Sequence, residues 1–411
     1  MITPTTINSL NANFSYFMPA RLLFGVGQFD NLGVEVAKLG GAAMLVTGKQ
    51  SARANGFTQR ALDSLRANKV QVTLFEEAVP NPRAEIVNRG AEIAQRERCE
   101  VIIGLGGGSP MDVAKGIAVA AALGVDIWQV VDGQQAITRD ALPIVLIPTT
   151  AGTGSEATPY AVISNPALRR KDALMSAQVY PKVAILDPAL TVPLPPFPTA
   201  SSGMDALTQA IEAYHSALAS PVSDLFAVEA IRLCAKSLRA AVHSPRNLEA
   251  RADMLLASML AGVAIAQADT TLAHVIGEAV GAVYDTDHGA SVTLTLPAVM
   301  EYNLPARIER YAHIAELLGE NISGLSARDA ACKAPAAIRD LIRDLRLPAG
   351  LAAVGVADVP DAVLQSVMPL VLRPGLTASN PRAIDEHGFD TLIRASLRPE
   401  MSYWALAGEL A

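Results

Sequence analysis

The chain has 411 residues, 51% apolar and 18% charged, with 33 Lys and Arg against 40 Asp and Glu for a formal net charge of −7. At roughly 150 residues per domain this is material for two to three domains with sizeable cores, which excludes a largely disordered chain. The acidic balance offers no broad positive field for a phosphodiester backbone, so no nucleic-acid partner is expected.

Residues 1–20 carry no charged side chain but are rich in Thr, Asn and Ser. They lack the basic start and apolar centre of a secretory signal, so no export is expected. Four short runs, 43–47 (AMLVT), 70–75 (VQVTLF), 101–105 (VIIGL) and 144–147 (IVLI), read as buried strands separated by helical segments. That alternation predicts a parallel sheet covered on both faces, with ligands beyond the carboxyl ends of its strands. The proline-dense stretch 190–200 (LTVPLPPFPTA) is expected to be neither regular helix nor central strand. A domain boundary is placed just before it, dividing an α/β domain (1–188) from an all-α domain (189–411). Residues 223–237 and 248–268 are dominated by Ala, Leu, Glu and Arg at helical spacing. The apolar stretch 254–268 falls short of the ~20 residues of a bilayer span, so no membrane association is expected. Cys99, Cys234 and Cys332 are odd in number and far apart, which suits a reducing cytoplasm and rules out a disulfide framework.

Three strand ends carry polar, glycine-punctuated loops. The first, GLGGGSPMD at 104–112, lets backbone amides approach a pyrophosphate at a helix N-terminus, with Pro110 suited to the first turn. A plain strand-to-helix turn is the bland account of these glycines, but it leaves four of them within five residues unexplained. The second, PTTAGTGSE at 148–156, is dense in hydroxyls and amides suited to a diphosphate or a carboxamide. Neither is the spaced G-x-G-x-x-G fingerprint. The third, Val46-Thr47-Gly48-Lys49 with Arg53 nearby, has glycine and cations where an acid would repel a 2′-phosphate, which favours NADP over NAD; an ordinary solvated loop is the alternative reading of these residues.

In the helical half Asp205 and Gln209 stand at i and i+4, on one helix face. With His274 and His288, two of only six histidines, Asp205 makes a two-histidine, one-carboxylate set for a divalent metal, and Gln209 is a candidate fourth ligand. Taken singly, His274 also reads as a hydrogen-bonded core residue and Asp205 as a helix cap. His215, His243, His313 and His387 lie in charged or helix-surface contexts and receive no role.

Together these residues resemble the iron-dependent, group III alcohol dehydrogenase family. The resemblance runs through FGVG (24–27), VPNP (79–82), GGGSPMDVAK (106–115), PTTAGTGSEAT (148–158), AILDP (184–188), GMDALTQAIEAY (203–214), DHG (287–289), LPAVMEYN (296–303) and SNPR (379–382). It implies a dehydroquinate-synthase-like fold, often dimeric, with an α/β N-terminal domain and an all-α C-terminal domain that binds Fe2+ or Zn2+. It also implies that Gly107, Gly108, Ser109 and Asp112 hold the diphosphate, with Thr149, Thr153, Asn81 and Lys171 completing the nucleotide site; Gly48 and Lys49 resemble NADP-using members. Two departures stand out: Gln209 replaces a family histidine ligand, and Glu278 replaces a family histidine near the nicotinamide. The expected activity is hydride transfer between NAD(P) and a primary or small secondary alcohol or aldehyde, with Glu278 a candidate for the proton relay. The rival readings are a metal-free enzyme similar to maleylacetate reductase and a non-catalytic nucleotide-binding protein.

Overall fold

In the computed structural model, which describes residues 13–356, 360–373, 375–397 and 402–409, the β-branched runs of the first half become strands. They are β1 (Arg21–Phe24), β2 (Ala42–Gly48), β3 (Gln71–Ala78), β4 (Val101–Gly106), β5 (Ile144–Pro148), β6 (Tyr160–Asn165), β7 (Arg170–Met175) and β8 (Val183–Leu186). Six make an all-parallel sheet in the order β1-β8-β5-β4-β2-β3, while β6 and β7 pair antiparallel. Every residue of β4, β5 and β8 is buried, as expected where both sheet faces are covered. Successive side chains point to opposite faces, so the strands feed two cores. Met44, Ile102, Ile144 and Leu146 pack on one face with Met111 and Ile117, and Leu45, Ile103, Val145 and Ile147 pack on the other with Leu32 and Leu65.

The four strands expected from the sequence are all present, with ends moved by a few residues. β1, β8 and the β6–β7 pair were not anticipated. β1 is a four-residue edge strand with both ends exposed, and its Leu22-Leu23-Phe24 run is too short to stand out.

Five helices position the residues of interest: α1 (Gly108–Leu123), between β4 and β5, and, after the sheet, α2 (Pro196–His215), α3 (Leu272–Tyr284), α4 (His288–Asn303) and α5 (Ile308–Leu317). The proline-dense stretch departs from expectation, because α2 begins inside it at Pro196 and includes Pro198. The first turn of a helix has no intrahelical partner for its N–H groups, so proline is tolerated there. By spatial contact the chain divides into two units. One is Met18–Pro195 with Ser244–Leu255; the other holds the described residues of Pro196–His243 and Leu256–Ala411 with those preceding Met18. Of the uncharged opening stretch, residues 1–12 lie outside the described residues. Among the described residues no single helix is long and apolar enough to cross a membrane.

Candidate functional site

In the first unit the glycine-rich segment is the hinge between β4 and α1. Gly106 has φ of +151°, and a Cβ there would sit 2.7 Å from the Pro110 ring, so the turn requires glycine. Gly106 pairs in register with Pro148, and the Thr149 N–H donates to the Gly106 carbonyl at 2.8 Å. The two loops therefore leave neighbouring strand ends. Thr47 pairs with Leu105, which brings Gly48 to the same edge of the sheet. Gly48, Gly107, Gly108, Ser109, Thr149 and Thr153 are half-buried there, while Lys49 is exposed. Lys171 on β7 donates to Asn81 Oδ1 at 3.3 Å, so these two candidates also meet. Arg53 is committed to Glu76, with contacts of 3.1 and 2.5 Å, leaving Lys49 as the cation beside Gly48.

Asp112 faces the second loop, accepting from Ser155 Oγ at 2.7 Å and from the Val162 N–H at 3.0 Å. One helical turn on, the fully buried Lys115 ammonium donates to the carbonyls of Ser155 (2.7 Å), Thr158 (3.0 Å) and Tyr160 (2.6 Å) and to Thr158 Oγ1 (3.3 Å). Burial lowers its pKa to about 8, with Asp112 and Glu156 resisting. The same burial raises the carboxyl of Glu156 to about 7 and also raises Asp112. Asp112 and Lys115 thus brace the second loop from beneath.

In the second unit α2, α3 and α4 converge their polar residues. Asp205 lies inside α2 and not at its end, which removes the capping account. One turn later, Gln209 is 3% exposed and Asp205 is 2% exposed. Asp205 Oδ1 faces Nε2 of His274 at 3.3 Å and Nε2 of His288 at 3.7 Å. One candidate ligand atom from each of Asp205, His274 and His288 lies within 4.8 Å of the others, so the set can hold a metal ion. His288 is delivered by the start of α4, where Asp287 caps the helix by accepting from the Ala290 N–H at 2.9 Å and also accepts from Ser201 Oγ on α2. Gly289 makes that approach sterically feasible, since a Cβ would stand 2.4 Å from the Ser201 carbonyl oxygen.

Two observations test whether this pocket fits a cation. Gln209 Oε1 is buried and reached by no hydrogen bond, a costly condition that a ligated cation relieves, and His274 Nε2 is buried beside the Asp205 carboxylate. The field also favours positive charge: burial opposes charging of His274, yet Glu212 and Asp205 outweigh it and lift its pKa to about 10. Asp, His and an amide oxygen form a donor set suited to a divalent ion. Glu278 lies half-buried on α3 one turn beyond His274.

The sequence matches the model of the iron-containing alcohol dehydrogenases over residues 19–188 and that of the family's C-terminal domain over 199–397. The chain belongs to the iron-containing alcohol dehydrogenase family. It is 40% identical to a 1,3-propanediol dehydrogenase of Klebsiella pneumoniae, over 93% of this chain and 98% of that one. It is 35% identical to an NAD-dependent methanol dehydrogenase of Bacillus methanolicus, over 93% of this chain and all of the relative (100%). A crystal structure of a 1,3-propanediol oxidoreductase superposes with a TM-score of 0.87 at 39% identity, covering 93% of this chain and 100% of the other. As a member of this family the chain is a metal-dependent, NAD(P)-dependent alcohol and aldehyde oxidoreductase.

Sequence reasoning passed over some of the polar residues beside the ligands. His215, assigned to a helix-surface context, is fully buried, because α2 is enclosed nearly all round and its last turn faces Thr271 and Tyr311. Glu212 is also fully buried and was given no role. Its spacing of seven residues from Asp205 places it on the same helix face, a signal present in the sequence.

Proposed function

We propose that this family member interconverts a primary or small secondary alcohol with its aldehyde or ketone, using a divalent ion held by Asp205, His274 and His288 with Gln209 as fourth ligand. The observation that carries the reading is the convergence of Asp205, His274 and His288, with Gln209 Oε1 buried one helical turn from Asp205 and reached by no hydrogen bond. Bound there, Fe2+ or Zn2+ supplies Lewis-acid polarisation of the substrate oxygen, and the nicotinamide supplies or takes up hydride. Asp205 contributes the anionic donor, which anchors the ion without cancelling its charge. Glu278, on the His274 face of α3, takes up or returns the hydroxyl proton.

In the other unit Gly107, Gly108 and Ser109 offer the start of α1 to the cofactor diphosphate, with Thr149, Thr153, Asn81 and Lys171 around it. Asp112 serves this site by ordering Ser155 and Val162. Gly48 followed by exposed Lys49 supports acceptance of NADPH. Cys99, Cys234 and Cys332 are free thiols, which supports a reducing compartment such as the cytoplasm.

The test is purification without chelator, metal analysis per chain, and a screen of alcohols and aldehydes with added Fe2+ or Zn2+ and with NADPH and NADH in parallel. Metal-stimulated turnover, abolished by Asp205→Ala, is the expected result. Turnover undiminished by exhaustive chelation overturns the reading. Glu278→Gln should move the pH–rate profile, and an unmoved profile removes Glu278 from proton transfer.

A further inference from the structure

Behind the candidate ligands lies a buried chain of polar groups in which every proton has one direction. Glu212 accepts at Oε1 from Thr271 Oγ1 (2.7 Å), from the Ala273 N–H (2.8 Å) and from the His274 N–H (3.4 Å). At Oε2 it meets the ring Nδ1 of His274. Three donors converge on one oxygen of Glu212, the surroundings of an ionised carboxylate. An ionised carboxylate only accepts, so the proton of this contact sits on His274 Nδ1.

The demand passes outward. Thr271 spends its hydroxyl proton on Glu212, so its oxygen accepts from His215 Nε2 at 2.9 Å. His215 Nδ1 then carries a lone pair, which accepts from the Tyr311 hydroxyl at 3.0 Å. This ordering needs a neutral His215 ring, and burial lowers its pKa to about 4 despite the pull of Glu212. Residues from α2, α5 and the cap of α3 therefore agree on one proton arrangement, and all five side chains are buried.

We propose that Glu212, held by Thr271 and the His215–Tyr311 pair, is a positioning residue that fixes His274 as its Nδ1–H tautomer and turns the Nε2 lone pair toward Asp205 and His288 to ligate the metal ion. The proposal rests on the metal-site reading above. Carboxylate partners of ligand histidines orient the ring and raise its basicity, and losing them costs about 10- to 100-fold in metal affinity. The arrangement matters more here because Gln209 offers a neutral amide oxygen, leaving His274 to supply much of the donor strength.

The experiment uses the zinc-loaded full chain, with zinc affinity measured by chelator competition and histidine tautomers by long-range 1H–15N correlation; six histidines give a tractable spectrum. Wild type should show His274 protonated at Nδ1 and metallated at Nε2. Thr271→Val should weaken zinc about 10-fold, and Thr271→Ser should restore it to within about twofold. Glu212→Gln, whose amide can present an N–H to Nδ1, should weaken zinc by about 100-fold and change the His274 signal. If that variant does not fold, the Thr271 pair decides. Wild type that binds zinc while Thr271→Val binds it equally well with an unchanged His274 signal overturns this inference alone. Failure of wild type to bind zinc overturns the metal-site reading as well.

Discussion

Replacing Lys115 by methionine sets two large effects against each other. The lysine pKa falls from 10.5 to about 8, so keeping the buried ammonium charged at neutral pH costs about 3 kcal/mol, which the substitution recovers. Against this, three carbonyl oxygens at 2.6 to 3.0 Å lose their donor. At about 1.5–3 kcal/mol for each hydrogen bond from a charged donor, that is roughly 5–9 kcal/mol. The pull of Asp112 and Glu156 is already contained in the shifted lysine pKa, so it brings no separate charge-pair loss. The losses win by about 2 kcal/mol or more. For a unit of this size each kcal/mol moves Tm by ~2–4 °C, so Lys115→Met should melt at least about 4 °C lower by circular dichroism. Because Lys115 holds the loop carrying Thr149 and Thr153, the KM for the coenzyme should rise as well. A melting temperature within about 2 °C of wild type, or above it, would refute the reasoning.

Three other outcomes follow from the same geometry. Gln209→His replaces an amide oxygen by imidazole and should slow zinc loss on dialysis by about tenfold or more, whereas equal loss from both proteins removes Gln209 from the ligand set. Gly289→Ala drives a methyl into the Ser201 carbonyl at 2.4 Å and should cost about 1–3 kcal/mol in thermal melts while weakening metal binding through His288. Unperturbed melting would show that α4 has room to retreat. Glu156, raised from 4.5 to about 7, contributes stability fully present below pH 4.5 and lost as pH rises through 7, on the order of 3 kcal/mol in all. Glu156→Gln should therefore flatten the decline in stability between pH 4.5 and 8, and parallel curves for the two proteins would count against that shift.

The sheet was legible where strands are buried on both faces, since 101–105 and 144–147 are unbroken apolar runs and their loops are marked by glycine and threonine. β1 was not legible, because a four-residue edge strand carries no pattern. Pro196 and Pro198 misled, because proline stops a helix interior but opens a helix readily. Asp205, His274 and His288 were found by residue type, although only the folded chain shows their atoms within 4.8 Å of one another. His215 was missed because a histidine after Tyr214 has no neighbour in sequence that announces burial. Its partners Thr271 and Tyr311 lie 56 and 96 positions away.

The ligand set is lopsided in its exposure to water. The side chain of His288 is 26% accessible, against 6% for His274 and 2% for Asp205. A cation held by these three side chains would therefore meet solvent first past the His288 imidazole at the start of α4, the side on which its exchange is expected.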